Sequence, residues 1–183
     1  MGKFIEVNHV SLGGEVGSVD WAMPYLDEEH ARYAIETLNA ADALVLGRKT
    51  YEGLSAAYLA MPPSEFVDRM NSIPKYVATR TLRTLGWNST PIDGDVASFV
   101  ADLKERTDGN LVNFGNGPLD ALLMDSGLID EFHLLLTPVA AGGGEHLFES
   151  VSGAPALNLV RLEEFTSGVV LLVYAPLPGA PTK

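Results

Sequence analysis

The sequence predicts an α/β protein: a mostly parallel sheet with antiparallel strands added near the C-terminus. Two observations carry this. Strand-like and helix-like segments alternate through the first two thirds of the chain, and strands dominate the rest. Residues 43–47, Ala-Leu-Val-Leu-Gly, form a wholly apolar run, the pattern of a central strand buried on both faces.

Each element has its own signal. Residues 4–12 carry Ile5, Val7 and Val10 and read as a strand, broken by Gly13-Gly14. Residues 27–39 read as a helix: Asp27 is placed to cap it, and Ala31, Ala34, Ile35 and Leu38 share one face. After the strand at 43–47 comes a helix over 50–58. Pro62-Pro63 opens a short helix reaching about Asn71. Residues 75–79 and 87–92 are strands. Val96, Phe99, Val100 and Leu103 give a helix over 95–107. A strand at 110–114 leads into a helix over 117–126, stopped by Gly127. Residues 129–139 form a long strand able to pair subunits. Residues 156–165 and 168–175 close the fold as a hairpin turned at Thr166-Ser167-Gly168.

The 183 residues suit a single domain, expected over 1–175, with a flexible Pro- and Gly-rich tail over 176–183. With no cysteine, disulfides, thiolate metal sites and cysteine nucleophiles are excluded. A formal net charge of -12 disfavours nucleic acid and anionic lipid as partners. No apolar run approaches the roughly 20 residues of a membrane span. Glu6 interrupts any signal-peptide pattern at the N-terminus, so the expected compartment is the cytoplasm. The four histidines, His9, His30, His133 and His146, show no metal-binding spacing.

Against this acidic background, three successive strand ends offer anion-binding groups. At Gly47-Arg48-Lys49-Thr50 a strand meets a helix start, where backbone N–H groups are unpaired. Gly47 permits close approach, Arg48 supplies a planar charged fork and Thr50 a hydroxyl. At Thr79-Arg80 a strand ends in a hydroxyl and a second guanidinium. At Gly115-Asn116-Gly117-Pro118 a strand enters a Gly-x-Gly turn and a helix, the design of a phosphate cradle. It is not the six-residue Rossmann fingerprint, because position 120 is Asp; that Asp120 sits where an acid favours the helix dipole. Each turn alone is also an ordinary strand–helix connection. Together they fit an extended, phosphorylated cofactor lying in one crevice.

The ordered set Val10-Ser11-Leu12-Gly13-Gly14, Leu46-Gly47-Arg48-Lys49-Thr50-Tyr51, Pro74 to Leu82, Phe114-Gly115-Asn116-Gly117, Gly127-Leu128-Ile129-Asp130-Glu131 and Gly142 to Phe148 resembles the dihydrofolate reductase-like superfamily. Within it, the chain is similar to the C-terminal reductase domain of the bifunctional riboflavin-biosynthesis enzyme. The resemblance implies a three-layer α/β/α mixed sheet, a homodimer, and NADPH lying across the strand ends. It assigns the adenosine-side phosphates to Gly47, Arg48, Thr50, Thr79 and Arg80, and the pyrophosphate to Gly115, Asn116 and Gly117. The implied activity is reduction of a pterin- or pyrimidine-like substrate, at family level 5-amino-6-(5-phosphoribosylamino)uracil reductase. Two positions depart from the family pattern: Gly13 stands where an Asp is usual, and Phe114 where riboflavin-pathway reductases carry Glu. A nucleotide-binding module of the same fold that has lost catalysis is therefore the alternative.

Hydride transfer to C=N or C=O requires a proton. In folate reductases an acid follows a Trp and a Pro at the first helix. Here Trp21-Ala22-Met23-Pro24-Tyr25-Leu26-Asp27 is similar, with the acid one residue late. Asp27 is thus a candidate proton donor as well as a cap, and Asp20 is a second candidate. Trp21, Tyr51 and His9 are candidates for the substrate side; core packing is the competing role for each. Asp130 and Glu131 read as structural or interfacial.

Overall fold

The computed structural model describes residues 2–177. Eight strands form one sheet in the order β4-β3-β2-β5-β1-β6-β8-β7. They are β1 (Phe4–Ser11), β2 (Ala41–Gly47), β3 (Lys75–Ala78), β4 (Ser89–Pro91), β5 (Asn110–Phe114), β6 (Glu131–Thr137), β7 (Leu157–Glu164) and β8 (Val170–Pro176). The helices are α1 (Glu28–Asn39), α2 (Arg48–Ala60), α3 (Glu65–Ser72), α4 (Val96–Arg106) and α5 (Pro118–Asp125). Pairing is parallel from β4 through β6, and β8 runs antiparallel to both its neighbours. This is the dihydrofolate reductase-like architecture that the sequence predicts.

The two-residue period of the strands divides the apolar side chains between two cores. In β2, Leu44 and Leu46 pack on one side of the sheet with Ile5, Val7, Val112 and Leu135, against Tyr33 and Leu38 of α1 and Met70 of α3. Ala43 and Val45 face the other side with Phe4, Val10, Leu111 and Phe132, against Val100 and Leu103 of α4 and Leu123 of α5. Each fully buried Leu contributes roughly 1.5–3 kcal/mol, which fixes the register of the central strands.

Helix starts fall into two kinds. Asp27 accepts from the His30 N–H at 2.8 Å, Ser64 from Val67 at 3.2 Å and Asp95 from Ser98 at 2.9 Å. α2 and α5 begin instead on Gly47 and Gly117, which have no side chain with which to cap.

Several expected boundaries move. α3 starts at Glu65 because Ser64 caps it, which leaves Pro62-Pro63 in the connection. β4 shrinks because Trp87 and Asn88 take left-handed backbone, at φ 56° and 49°. A short 3₁₀ helix at Asp20–Tyr25 was not expected. β6 lies between β1 and β8, so both of its edges are occupied and it cannot pair subunits as the sequence suggested. The long free edge belongs to β7, where Leu159, Val160 and Leu162 are exposed. The expected tail boundary also moves: Pro176 ends β8, the Leu177 N–H donates to the Ala156 carbonyl at 3.0 Å, and residues 178–183 lie outside the described residues. No helix of the described residues is long and apolar enough to cross a membrane.

Candidate cofactor cleft and its surroundings

The C-terminal ends of β3, β2 and β5 open on one cleft of about 720 Å³. All eight residues singled out at the three strand ends line it: Gly47, Arg48, Thr50, Thr79, Arg80, Gly115, Asn116 and Gly117. Parallel pairing is what brings them together, since it puts every carboxyl end on the same rim.

Each turn is locally explained. Gly115, at φ +148°, lies so close to α2 that a Cβ there would stand 2.7 Å from the Thr50 hydroxyl. Gly117, at φ 149°, turns the chain into Pro118 at the first position of α5. Thr79 Oγ1 accepts from the N–H groups of Thr81 and Leu82, at 3.3 and 3.1 Å, a turn that sets Arg80 beyond the strand. Arg48 rests on Glu52 one turn later, at 3.1 Å. Both side chains are half-exposed, and such pairs contribute about 0–1 kcal/mol, so the guanidinium is readily released to a better anion. Asn116 turns its amide to the His146 carbonyl at 3.2 Å and so braces the loop after β6.

The cleft floor holds two side chains that sequence reasoning did not assign. Asn113 of β5 and Asp120 of α5 line it, and the Asn113 amide donates to the Asp120 carboxyl. Asp120 is not simply an acid at a helix start: burial pushes its carboxyl up to about 7, outweighing the lowering effect of nearby backbone amides, its own first. Behind it lies Glu6 of β1, only 1% exposed, whose carboxyl burial and the neighbouring Asp120 raise well above the ordinary range. The available signal was a Glu and an Asn, residues 6 and 8, on the strand face that carries Phe4 and Val10.

The proton-donor and substrate-side candidates lie elsewhere. None of His9, Asp20, Trp21, Asp27 or Tyr51 lines this cleft. Asp27 caps α1 and also accepts from the Ser167 N–H at 2.9 Å and the Thr166 hydroxyl at 3.3 Å. The His30 N–H, followed by those groups, holds its carboxyl below the usual range, which suits an ionised cap and not an acid. Asp20 is exposed and accepts from the Ser18 hydroxyl. Tyr51 is a core residue: it packs against Trp87 and its hydroxyl accepts from the Gly86 N–H at 3.1 Å, so it is not placed to stack on a substrate. Trp21 is half-buried with its indole Nε1 buried and unpartnered. His9 meets His30, Nε2 to Nε2 at 3.3 Å, and its Nδ1 has no partner. Burial, then the neighbouring His30, lowers the His9 pKa to about 4, so this imidazole is neutral near pH 7.

Of the two departures from the family pattern, the one at Gly13 has a steric reason. A Cβ on Gly13 would lie 2.2 Å from the Ala141 carbonyl oxygen, because the loop after β6 fills the space an acid would need. Phe114 packs against the core on the α1 and α3 side of the sheet. Asp130 and Glu131 are structural on the opposite rim: Asp130 accepts from the Phe4 N–H and Lys104, and Glu131 from Lys3.

Comparison with known proteins agrees with this architecture. The profile of the RibD C-terminal domain family matches residues 5–171. The uncharacterized protein YyaP of Bacillus subtilis is 30% identical over 170 residues, covering 89% of this chain and 87% of that protein. A Shewanella sp. PV-4 protein whose name connects it with riboflavin biosynthesis superposes with a TM-score of 0.78 at 20% identity, covering 96% of this chain and 99% of the other. The diaminohydroxyphosphoribosylaminopyrimidine deaminase/5-amino-6-(5-phosphoribosylamino)uracil reductase of Thermotoga maritima superposes with a TM-score of 0.67 at 13% identity; the match covers 96% of this chain and 57% of the Thermotoga chain. These last two likenesses bear on fold, and the family match runs nearly the length of the chain: the protein belongs to the RibD C-terminal domain family.

Proposed function

We propose that the protein is an NADPH-dependent reductase of a small heterocyclic, pterin- or pyrimidine-like compound. The observation that carries this reading is the single cleft in which two arginines and two glycine-started helices converge. The residues fit the cofactor. Arg48, Thr50 and Arg80 suit a ribose 2′-phosphate, and the amides that start α2 and α5 suit the pyrophosphate. The Gly115 turn, packed against Thr50, gives the close approach a dinucleotide backbone requires. NADPH, when bound, supplies a hydride; the chain orients it along the rim and excludes water from the apolar cleft wall at Ile92, Val96 and Leu119.

The test is a pair of titrations. Arg48→Ala is expected to weaken NADPH about 10- to 100-fold, the value of a charge-assisted hydrogen bond, and to leave NADH nearly unchanged. Equal losses for the two cofactors reject the assignment.

A catalytically silent nucleotide-binding module is the second reading. It is favoured by Gly13, whose position has no room for an acid, and by Asp27, which is committed to capping. NADPH binding without oxidation across pterins, flavins, quinones and pyrimidines selects it.

The active form is proposed to be a homodimer. The surface for it is the β7 edge, where Leu159, Val160 and Leu162 leave apolar side chains on an unpaired strand.

A further inference from the structure

We propose that the buried Glu6–Asp120 carboxyl pair is part of the cofactor site and works in its protonated form, so that the cleft takes up a proton together with the dinucleotide. This rests on the assignment of the cleft to NADPH.

The geometry sets a carboxyl beside a phosphate cradle. Asp120 is buried, lies in the first turn of α5 and lines the cleft together with Gly117. Gly117 starts α5 without a cap, so the amides there are donors a phosphate can use. While ionised, Asp120 places a negative charge beside that cradle. Once protonated, it carries no charge and offers an O–H of its own.

What lies behind Asp120 makes protonation accessible. Glu6 and Asn113 are register partners on β1 and β5 and are 1% and 2% exposed. Asn8 donates to Glu6 Oε1 at 2.8 Å and Asn113 donates to Asp120 Oδ1. Two polar atoms remain buried without partners, Glu6 Oε2 and Asn113 Oδ1, and both are acceptors if Glu6 is ionised. A proton on Glu6 Oε2 turns one of them into a donor. Among the described residues no cation is bonded to either carboxyl; Asn8 and Asn113 are their hydrogen-bond donors, and the rest of this face is apolar, with Phe4, Val10, Leu123 and Phe132. Burial without a counter-charge raises both carboxyls, Asp120 to about 7, so the pair changes protonation in the range where a neighbouring phosphate can decide it. The cleft's other acid, Asp95, stays ionised because the Ser98 N–H and hydroxyl hold it low. The proton comes from solvent on binding and returns there when the cofactor leaves.

The experiment is calorimetric titration of NADPH at pH 7 in PIPES and in imidazole, phosphate-free buffers whose ionisation heats differ, with affinities measured from pH 6.5 to 8.5. His146, whose carbonyl accepts from the Asn116 amide, is replaced by Gln throughout so that its imidazole contributes nothing. Net proton uptake is expected, with affinity falling about tenfold across that range. Asp120→Asn is expected to abolish the uptake and flatten the pH dependence. The cofactor's own 2′-phosphate, with a pKa near ~6, works in the opposite direction and is common to all variants. Should Asp120→Asn fail to fold, Glu6→Gln carries the test by moving the midpoint of the pH dependence. Binding with no uptake, or uptake and midpoint unchanged in the variants, overturns this proposal and leaves the cofactor assignment standing. Absence of NADPH binding at every pH overturns both.

Discussion

Two sets of helices in this protein begin in opposite ways. α1, α3 and α4 start on Asp27, Ser64 and Asp95, whose side chains consume an exposed amide. α2 and α5 start on glycines. A glycine in place of a capping side chain costs a helix roughly a few tenths of a kcal/mol, so its use at two sites on one rim is a small local cost. The difference teaches where stability has been given up: the uncapped amides lie on the same cleft as Arg48 and Arg80. Of the capped starts, those at Asp27 and Ser64 lie away from the cleft and that at Asp95 lines it; the uncapped amides are the ones the proposed reading gives to an anion.

The most severe way to break that comparison is to convert one kind into the other. Gly47 has φ -71° and open space around its Cβ position, so a side chain fits there without strain. Gly47→Asp is expected to satisfy the α2 amides and repel phosphate. NADPH affinity should fall at least about tenfold while the Tm stays level or rises by about 1 °C. Isothermal calorimetry and thermal melting check the two halves; a variant that keeps its affinity shows that the α2 amides do not face the ligand.

The converse substitution targets a capped start. Asp27→Ala should lower the Tm without changing NADPH affinity, because Asp27 lies outside the cleft. The sign with pH follows from its lowered carboxyl pKa. The stabilisation is present above the unfolded pKa, near ~4, and is lost as pH falls through the lower folded value. The gap in Tm between wild type and Asp27→Ala should therefore narrow as the pH drops below about 4. A gap that is constant with pH assigns the effect to packing.

The smallest expected effect concerns the β7 edge. Leu162→Lys should leave the fold and the cleft intact, since Leu162 is 59% exposed, and should halve the mass in solution measured by light scattering. A wild-type monomer contradicts the proposed dimer.

The same contrast explains how much was legible in the sequence. Strand ends that carry glycine, arginine and threonine are ordinary connections singly, and become legible because three of them follow one another in a strongly acidic chain. Parallel topology then gathers Gly47, Thr79 and Gly115 on one rim, and all eight expected residues line the cleft. β5 matches its expected bounds because Leu111, Val112 and Phe114 lie between clear breakers, at Asp108-Gly109 and Gly115. The shifts of α3 and β4 are local, at the Ser64 cap and the left-handed Trp87 and Asn88, whereas the misread site candidates and strand edge come from tertiary partnership. Asp27 reads in sequence as a cap and as a candidate acid; the cap to the His30 N–H is as expected, and the turn at Thr166 and Ser167, some 140 residues away, supplies the further partners that commit it to that role. Tyr51 follows the Gly-Arg-x-Thr turn, yet helical geometry points it into the core beside Trp87. The strand at 129–139 looked free because nothing local reveals that β8 returns to cover its edge. Glu6 and Asp120 are 114 residues apart, and their pairing across β1 and α5 exists only in the fold.

The most direct test of the central claim is to map NADPH onto the backbone by amide chemical shifts. The account predicts that the N–H signals of Gly47 to Thr50, Thr79 to Arg80 and Gly115 to Gly117 move together at one saturating concentration, while those of Asp130, Glu131 and His133 on the opposite rim stay in place. Shifts confined to the opposite rim, or to only one of the three strand ends, would contradict it.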